Sequence, residues 1–190
     1  MRALLASALI VAGCAGEEPA PVERKVDQTH APAAVQRSSE ATPTAASVDC
    51  AVDEEAIFSC MTERGKRIAV CGTADGKAEY RFGGDKPELV LSGGEWASVP
   101  YSGGGEAQIA FDNKAIRYVV FSRMVRTNFT AGEPNNPAMS DGVIVLEGER
   151  VVSLQVCADP DVLPIQYSAA DARLPVAADL FTWETGRADR

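Results

Sequence analysis

From residue 57 onward the chain breaks into short apolar or alternating runs separated by turn chemistry, the pattern of strands. Ile57–Met61 and Lys66–Cys71 are two such runs, joined by Thr62-Glu63-Arg64-Gly65. Lys77–Phe82 alternates, with Tyr80 and Phe82 on one face. Gly83-Gly84-Asp85 breaks it, and Glu88–Leu91 follows. A hairpin comes next: Ala107–Phe111, Asp112-Asn113-Lys114, Ile116–Phe121. A two-residue loop at Asn113-Lys114 sets Phe111 opposite Ile116 and Ile109 opposite Tyr118, all on one face. Val143–Leu146 turns at Glu147-Gly148-Glu149 into Val151–Cys157. About eight short strands with closely spaced turns predict an all-β domain over residues 50–157, a small antiparallel barrel or sandwich. Residues 123–141, with Pro134 and Pro137, read as a loop. The tail, residues 158–190, reads as short and irregular or helical: Ser168–Asp171 resembles a helix start that Pro175 limits.

The N-terminal residues follow another pattern. Arg2 precedes the apolar run Ala3–Val11, which is too short to span a membrane. Small residues then lead into Val11-Ala12-Gly13-Cys14. A charged start, a short apolar core and small residues at the cut mark an export signal. With a cysteine at the cut, the motif resembles the lipobox of bacterial lipoproteins. That resemblance implies removal of residues 1–13 and lipidation, palmitate included, of Cys14. Ala15 stands where a signal for retention at the inner membrane would put Asp, so the outer membrane, on its periplasmic side, is implied. Residues 14–49 carry Pro19, Pro21, Pro32 and Pro43 among Ala, Glu, Ser and Thr, with no aromatic residue. Such a stretch cannot bury enough surface to offset its ordering entropy, so it is expected to be a disordered linker.

Charge and cysteines narrow the partners. The formal net charge of −9 argues against nucleic acid and against docking on anionic lipid; it permits a basic partner, and acidic charge is also simply a solubility device. Besides Cys14 there are Cys50, Cys60, Cys71 and Cys157. An even count in an exported chain predicts two disulfides, expected as Cys50–Cys71 and Cys60–Cys157. Paired C-x-x-C spacing is missing and the only histidine is His30, so no metal and no cofactor are expected.

Phe58-Ser59-Cys60, Lys66, Val70-Cys71, Tyr80-Arg81-Phe82-Gly83, Glu88-Leu89 and the turn Ser102-Gly103-Gly104-Gly105 resemble a group of small exported bacterial proteins. The resemblance runs through about 50–157 and implies an exported β domain without assigning an activity. A weaker similarity is to periplasmic lysozyme inhibitors, small β proteins with an aromatic-x-Cys strand near the start and a cysteine near the end. Some of these insert a Ser-Gly-x-x-Tyr loop into the enzyme cleft. Ser102-Gly103 matches its start, Glu106 replaces its Tyr, and a Trp-x-Lys-Gly element of another inhibitor class is missing.

The catalytic inventory is thin. His30 lies in the linker, so the β domain has no imidazole for a serine or cysteine triad. No G-x-S-x-G, S-x-x-K or P-loop is present. Asp53, Glu54 and Glu55, or Asp159 and Asp161, lack the spacing of an EF-hand. Arg117 and Arg123 share parity with Val119 and Phe121 opposite Tyr118, a mixed face that either meets an acidic partner or is covered.

The best site signal is the glycine-flanked segment from Ser92 to Glu106, read as a loop. Trp96 and Tyr101 there are either interface anchors or packing plugs, and Ser102, Gly103, Gly104 and Gly105 complete the candidate. The chain is thus read as a lipid-anchored envelope protein-interaction module and not an enzyme, with inhibition of a lysozyme-type hydrolase as the sharpest form. One alternative is a small-ligand binder with a cavity lined by Tyr80, Phe82 and Tyr118. Another is a hydrolase using carboxylates alone. Cys14→Ser is expected to release the protein from membranes, because two acyl chains anchor stably where one is marginal. Fractionation after a salt wash checks this, and a retained variant overturns it.

Overall fold

The structure is a computed structural model, and it describes residues 47–158, 160–178 and 181–189. Cys14, the export signal and most of the expected linker lie outside the described residues. Nine strands form two antiparallel sheets in which spatial order follows chain order. The first sheet holds β1 (Glu55–Met61), β2 (Arg67–Gly72), β3 (Ala78–Gly83) and β4 (Pro87–Ser92). The second holds β5 (Glu95–Tyr101), β6 (Gly104–Asn113), β7 (Ile116–Val125), β8 (Ala138–Glu147) and β9 (Arg150–Val156). Of the two expected architectures, the chain forms the sandwich. The chain crosses between sheets at Gly93-Gly94, both at positive φ (91° and 92°). A Cβ on Gly94 would lie 2.6 Å from the Ala110 carbonyl oxygen, so this corner needs glycine.

Alternation dictates which side chains meet between the sheets. Ile57, Ile68, Val70 and Tyr80 from the short sheet pack on Ile109, Phe111, Val120 and Val143 from the long one. Tyr80 sits between Phe111 (5.5 Å between ring centroids) and Tyr118 (5.8 Å). Val48, read as linker because its neighbours are polar, is buried.

Three sequence expectations are revised. Ser92–Glu106 is mostly strand: β5 forms an edge paired with β6, where Pro100, opposite Gly105, is tolerated. β7 and β8 run deeper into 123–141 than expected, leaving the connection 126–137. The β6–β7 loop is Lys114-Ala115, with Lys114 at φ 58°, so Phe111 pairs with Tyr118 and Ile109 with Val120. Moving the loop by one residue shifts the register by two and leaves every side chain on its face. The apolar pattern could not distinguish the two registers.

The tail wraps the sandwich. Leu163 and Ser59 exchange backbone hydrogen bonds, and α1 (Tyr167–Arg173) follows, burying Ala169 and Ala170 in the main core. Arg173 donates to the Thr73 carbonyl (2.7 Å) and pairs with Glu55. The helix closes before Pro175, whose carbonyl accepts from Trp96 N–H, while Ala177 N–H donates to the Trp96 carbonyl. A 3-10 turn, η1 (Trp183–Ala188), then lies on the outer face of the long sheet.

Two disulfides hold the ends of this arrangement, Cys50–Cys71 and Cys60–Cys157, in the expected pairing. They close separations of 21 and 97 residues, and the chain-entropy model gives about 3 and about 5 kcal/mol respectively. Replacing Cys60 and Cys157 together by Ala is therefore expected to lower the chemical-denaturation midpoint more than replacing Cys50 and Cys71. The reverse order would mean that the effect is set by the folded state and not by the unfolded chain.

Candidate functional site

β6, β7 and β8 are ten residues long, against six or seven for the strands of the short sheet. At one end of the long sheet the inner face therefore loses its cover. Ser122 pairs with Asp141 and Met124 with Met139 on that face, and the 164–167 segment stands opposite. Between them is a hollow of about 340 Å³, lined by Met124, Met139, Pro164, Ile165, Tyr167 and Asp141 together with Gly104, Gly105, Ser122 and Arg123. Gly104 approaches β7 so closely that a Cβ would lie 2.1 Å from the Met124 carbonyl oxygen. The glycine run read as part of the site thus lets two strands close up at its floor.

Asp141 is the polar group of the hollow. Burial raises its pKa above the usual aspartate range, and a hydrogen bond from Ser122 opposes this. Ser122 Oγ in turn accepts from Ile165 N–H (2.9 Å). The Oδ1 of Asp141 is shielded and has no hydrogen-bond partner.

The opposite face of the same end is locked by a buried carboxylate. Glu106 is fully buried and accepts four hydrogen bonds: from Tyr101 Oη (2.7 Å), Gln108 Nε2 (2.6 Å), Arg123 Nη1 (2.8 Å) and Thr185 Oγ1 (2.6 Å). Gln108 also brackets the backbone of Thr182, donating to its carbonyl and accepting from its N–H. Arg123 continues to Asp189 (3.0 Å). Burial alone would lower the Arg123 pKa, but the bonds to Asp189 and Glu106 outweigh it and hold the guanidinium charged. Burial, then the Glu106 carboxylate, pushes the Tyr101 hydroxyl up, so it stays neutral, donating to Glu106 and accepting from Arg123 Nη1 (3.1 Å). The face carrying Arg117 and Arg123 is thus covered by the chain's own tail at Arg123, while Arg117 pairs with Asp112 and Glu95.

The candidate residues separate. Trp96 is 7% exposed, packs in the main core and meets Tyr167 edge-on at 5.7 Å. It is a plug. Tyr101 is half-buried at the end of β5 and stacks on Trp183 (6.3 Å), which is 71% exposed and meets Phe181 at 5.0 Å. Ser102 and Gly103 form the exposed tip of the β5–β6 hairpin. Met124, Met139, Tyr167 and Trp183 were not singled out by the sequence. The cue that existed was the cross-strand spacing of polar Glu106, Gln108 and Arg123 within otherwise apolar strands.

A second hollow, about 540 Å³, lies beside the Cys50–Cys71 bridge and is polar. There Arg81 grips Glu54 with both terminal nitrogens (2.8 and 2.7 Å) and Glu79 with Nε (2.8 Å). The bond from Arg81 holds the Glu54 carboxyl below its usual range. Cys50, Glu54 and Cys71 lie within 4.8 Å, but the two sulfurs are bonded to each other and offer no thiolate to a metal.

Comparison with protein-family models, with curated proteins and with solved structures finds no match. The geometry itself generates a contrast. Trp96→Ala should cost about 3–5 kcal/mol as a buried aromatic loss. Trp183→Ala should cost only about 0.5–1.5 kcal/mol, the worth of an aromatic pair. Denaturant unfolding of both variants measures the difference, and equal losses would refute the division between plug and exposed anchor.

Proposed function

We propose that this chain is a lipid-tethered protein of the bacterial envelope that binds another protein through the open end of its long sheet. The partner is a basic hydrolase of the lysozyme type, which it inhibits. One observation carries the reading. Among the described residues eight large apolar side chains are exposed; Met124, Phe129, Met139, Tyr167 and Trp183 lie around this end, while Val52, Val152 and Val176 lie elsewhere. A concentration of such side chains marks an interaction site, whereas single ones are ordinary. Aromatic residues of this kind are typical interface anchors.

Other features support the same reading. The exposed Ser102-Gly103 tip lies among these side chains and could enter a cleft without unfolding anything. Glu106, standing where the inhibitor loop would have Tyr, is committed to four internal donors, so the tip itself makes the contact. The net charge of −9 favours a basic partner. Two disulfides fit an oxidising compartment. The small-ligand alternative asked for a cavity lined by Tyr80, Phe82 and Tyr118. Tyr80 is instead packed between Tyr118 and Phe111, which favours the protein partner.

The test mixes the full-length chain with purified lysozymes and follows lysis of a cell-wall suspension. Stoichiometric slowing is expected. A Met139→Ala/Trp183→Ala variant should weaken it about 30-fold, the equivalent of a hot-spot loss of about 2 kcal/mol, without a matching fall in melting temperature. Undiminished lysis with no complex on gel filtration would sink the proposal.

A further inference from the structure

We propose that the polar hollow beside the Cys50–Cys71 bridge binds a primary alkylammonium group, with Glu79 as its acceptor. This site lies on the short sheet, and it stands independently of the partner reading above.

The site is built on β3. Tyr80 packs in the core, so alternation turns Glu79 and Arg81 to the outer face of the short sheet. Cys71 and Ser92 flank Glu79 across the two ladders, and Glu79, Ser92 and Cys50 all line the hollow. The Glu79 side chain is only 10% exposed, and its Oε1 accepts from Arg81 Nε (2.8 Å). Among the described residues the unpartnered side-chain atoms sealed from solvent are Trp96 Nε1 and Asp141 Oδ1. Glu79 Oε2, which has no donor among these residues, is thus still accessible, and the space it opens to is the hollow that Glu79 lines. The charges of the lining point the same way. Arg81 serves two carboxylates, Glu54 through both terminal nitrogens and Glu79 through Nε. Asp75 pairs with Lys77 and Asp49 with Arg67. One negative charge is left over, on the most buried of these carboxylates, and a cation that reaches it is favoured.

The geometry selects the kind of cation. Calcium takes about six to eight oxygen ligands. Among the described residues only Cys50, Glu54 and Cys71 bring three potential ligand atoms within 4.8 Å, and the two sulfurs are bonded to each other. A guanidinium owes its strength on carboxylates to a planar fork that engages both oxygens, and Oε1 is already held by Arg81. One open oxygen suits the ammonium group, a compact charge with rotatable donors. Ser92, opposite Glu79 in the ladder, adds a hydroxyl acceptor. Cys50 and Ala51 give an aliphatic stem a less polar wall to lie on. About 540 Å³ has room for a whole small amine and not only for its head.

Arg81 supplies the reporter. In the ¹⁵N-labelled full-length chain its Nε–H, bonded to Glu79, senses a charge placed there, and Arg123 Nε, bonded to Asp189 on the long sheet, is the internal control. The probes, at constant ionic strength, are n-butylammonium, 1-butanol, n-butylguanidinium and calcium. Butylammonium should shift Arg81 Nε saturably and leave Arg123 Nε still. 1-Butanol, or butylammonium with Glu79→Gln, should bind at least about tenfold more weakly, as loss of a charge-assisted bond requires. The Gln amide oxygen can still accept from Arg81, and the comparison of probes needs no variant. Nα-acetyl-lysine methylamide carries the same ammonium on a peptide; whichever of it and butylammonium binds more tightly assigns the group to a peptide side chain or to a free amine. Equal binding of butylammonium and 1-butanol overturns the proposal. So does tighter binding of butylguanidinium or calcium, undiminished binding to folded Glu79→Gln, or no saturable shift.

Discussion

The carboxylate of Glu106 constrains more of this molecule than any other group. It is an ion without contact to water, and burying a charge is tolerable only when partners replace its hydration. The replacements come from four elements: Tyr101 on β5, Gln108 on β6, Arg123 on β7 and Thr185 on η1. Three of these are supplied by the sheet as soon as it pairs. The fourth arrives only if the tail crosses the outer face. The tail is therefore part of the domain's electrostatics and cover, and its Ala177 packs on the small apolar cluster of Ala110, Val119, Ile144 and Leu146.

Eight of the nine strands were legible because their apolar residues alternate or run together between turn residues. β5 was hidden by Pro100 and by the glycines on either side, which together read as a loop. The tail's role was hidden for a different reason. A coil that caps a sheet has no period of its own, and its partners lie far away in sequence, as with Gln108 and Thr182. The candidate site was half legible. Tyr101 and the Ser102-Gly103 tip stood out through their glycine frame. Met124 and Met139 sit among Arg, Ser and Asp, so no alternation announced that β7 and β8 continue through them. Asp141, next to Gly142, reads as turn chemistry, yet Gly142 is there because a Cβ would lie 2.2 Å from the Gln155 carbonyl oxygen.

The open end follows from a mismatch in strand length. A sandwich is covered only where both sheets are present. Where the longer strands outrun the shorter, either the chain supplies another cover or apolar side chains meet solvent. On the outer face the chain supplies η1. On the inner face it supplies only the stretch from Pro164 to Tyr167, and the hollow is what remains. The same end thus carries one face finished internally and one left open, with the hairpin tip between them.

The meander topology and the tail draw on contacts of two kinds. Within each sheet every strand pairs with its neighbours in sequence, so the ladders link residues close together along the chain. The tail's contacts are of another kind: Thr185 reaches Glu106 across 79 residues, Thr182 reaches Gln108 across 74 and Arg123 reaches Asp189 across 66. Without those contacts Glu106 loses its Thr185 donor and part of the apolar outer face loses its cover, so the paired sheets alone leave the domain unfinished.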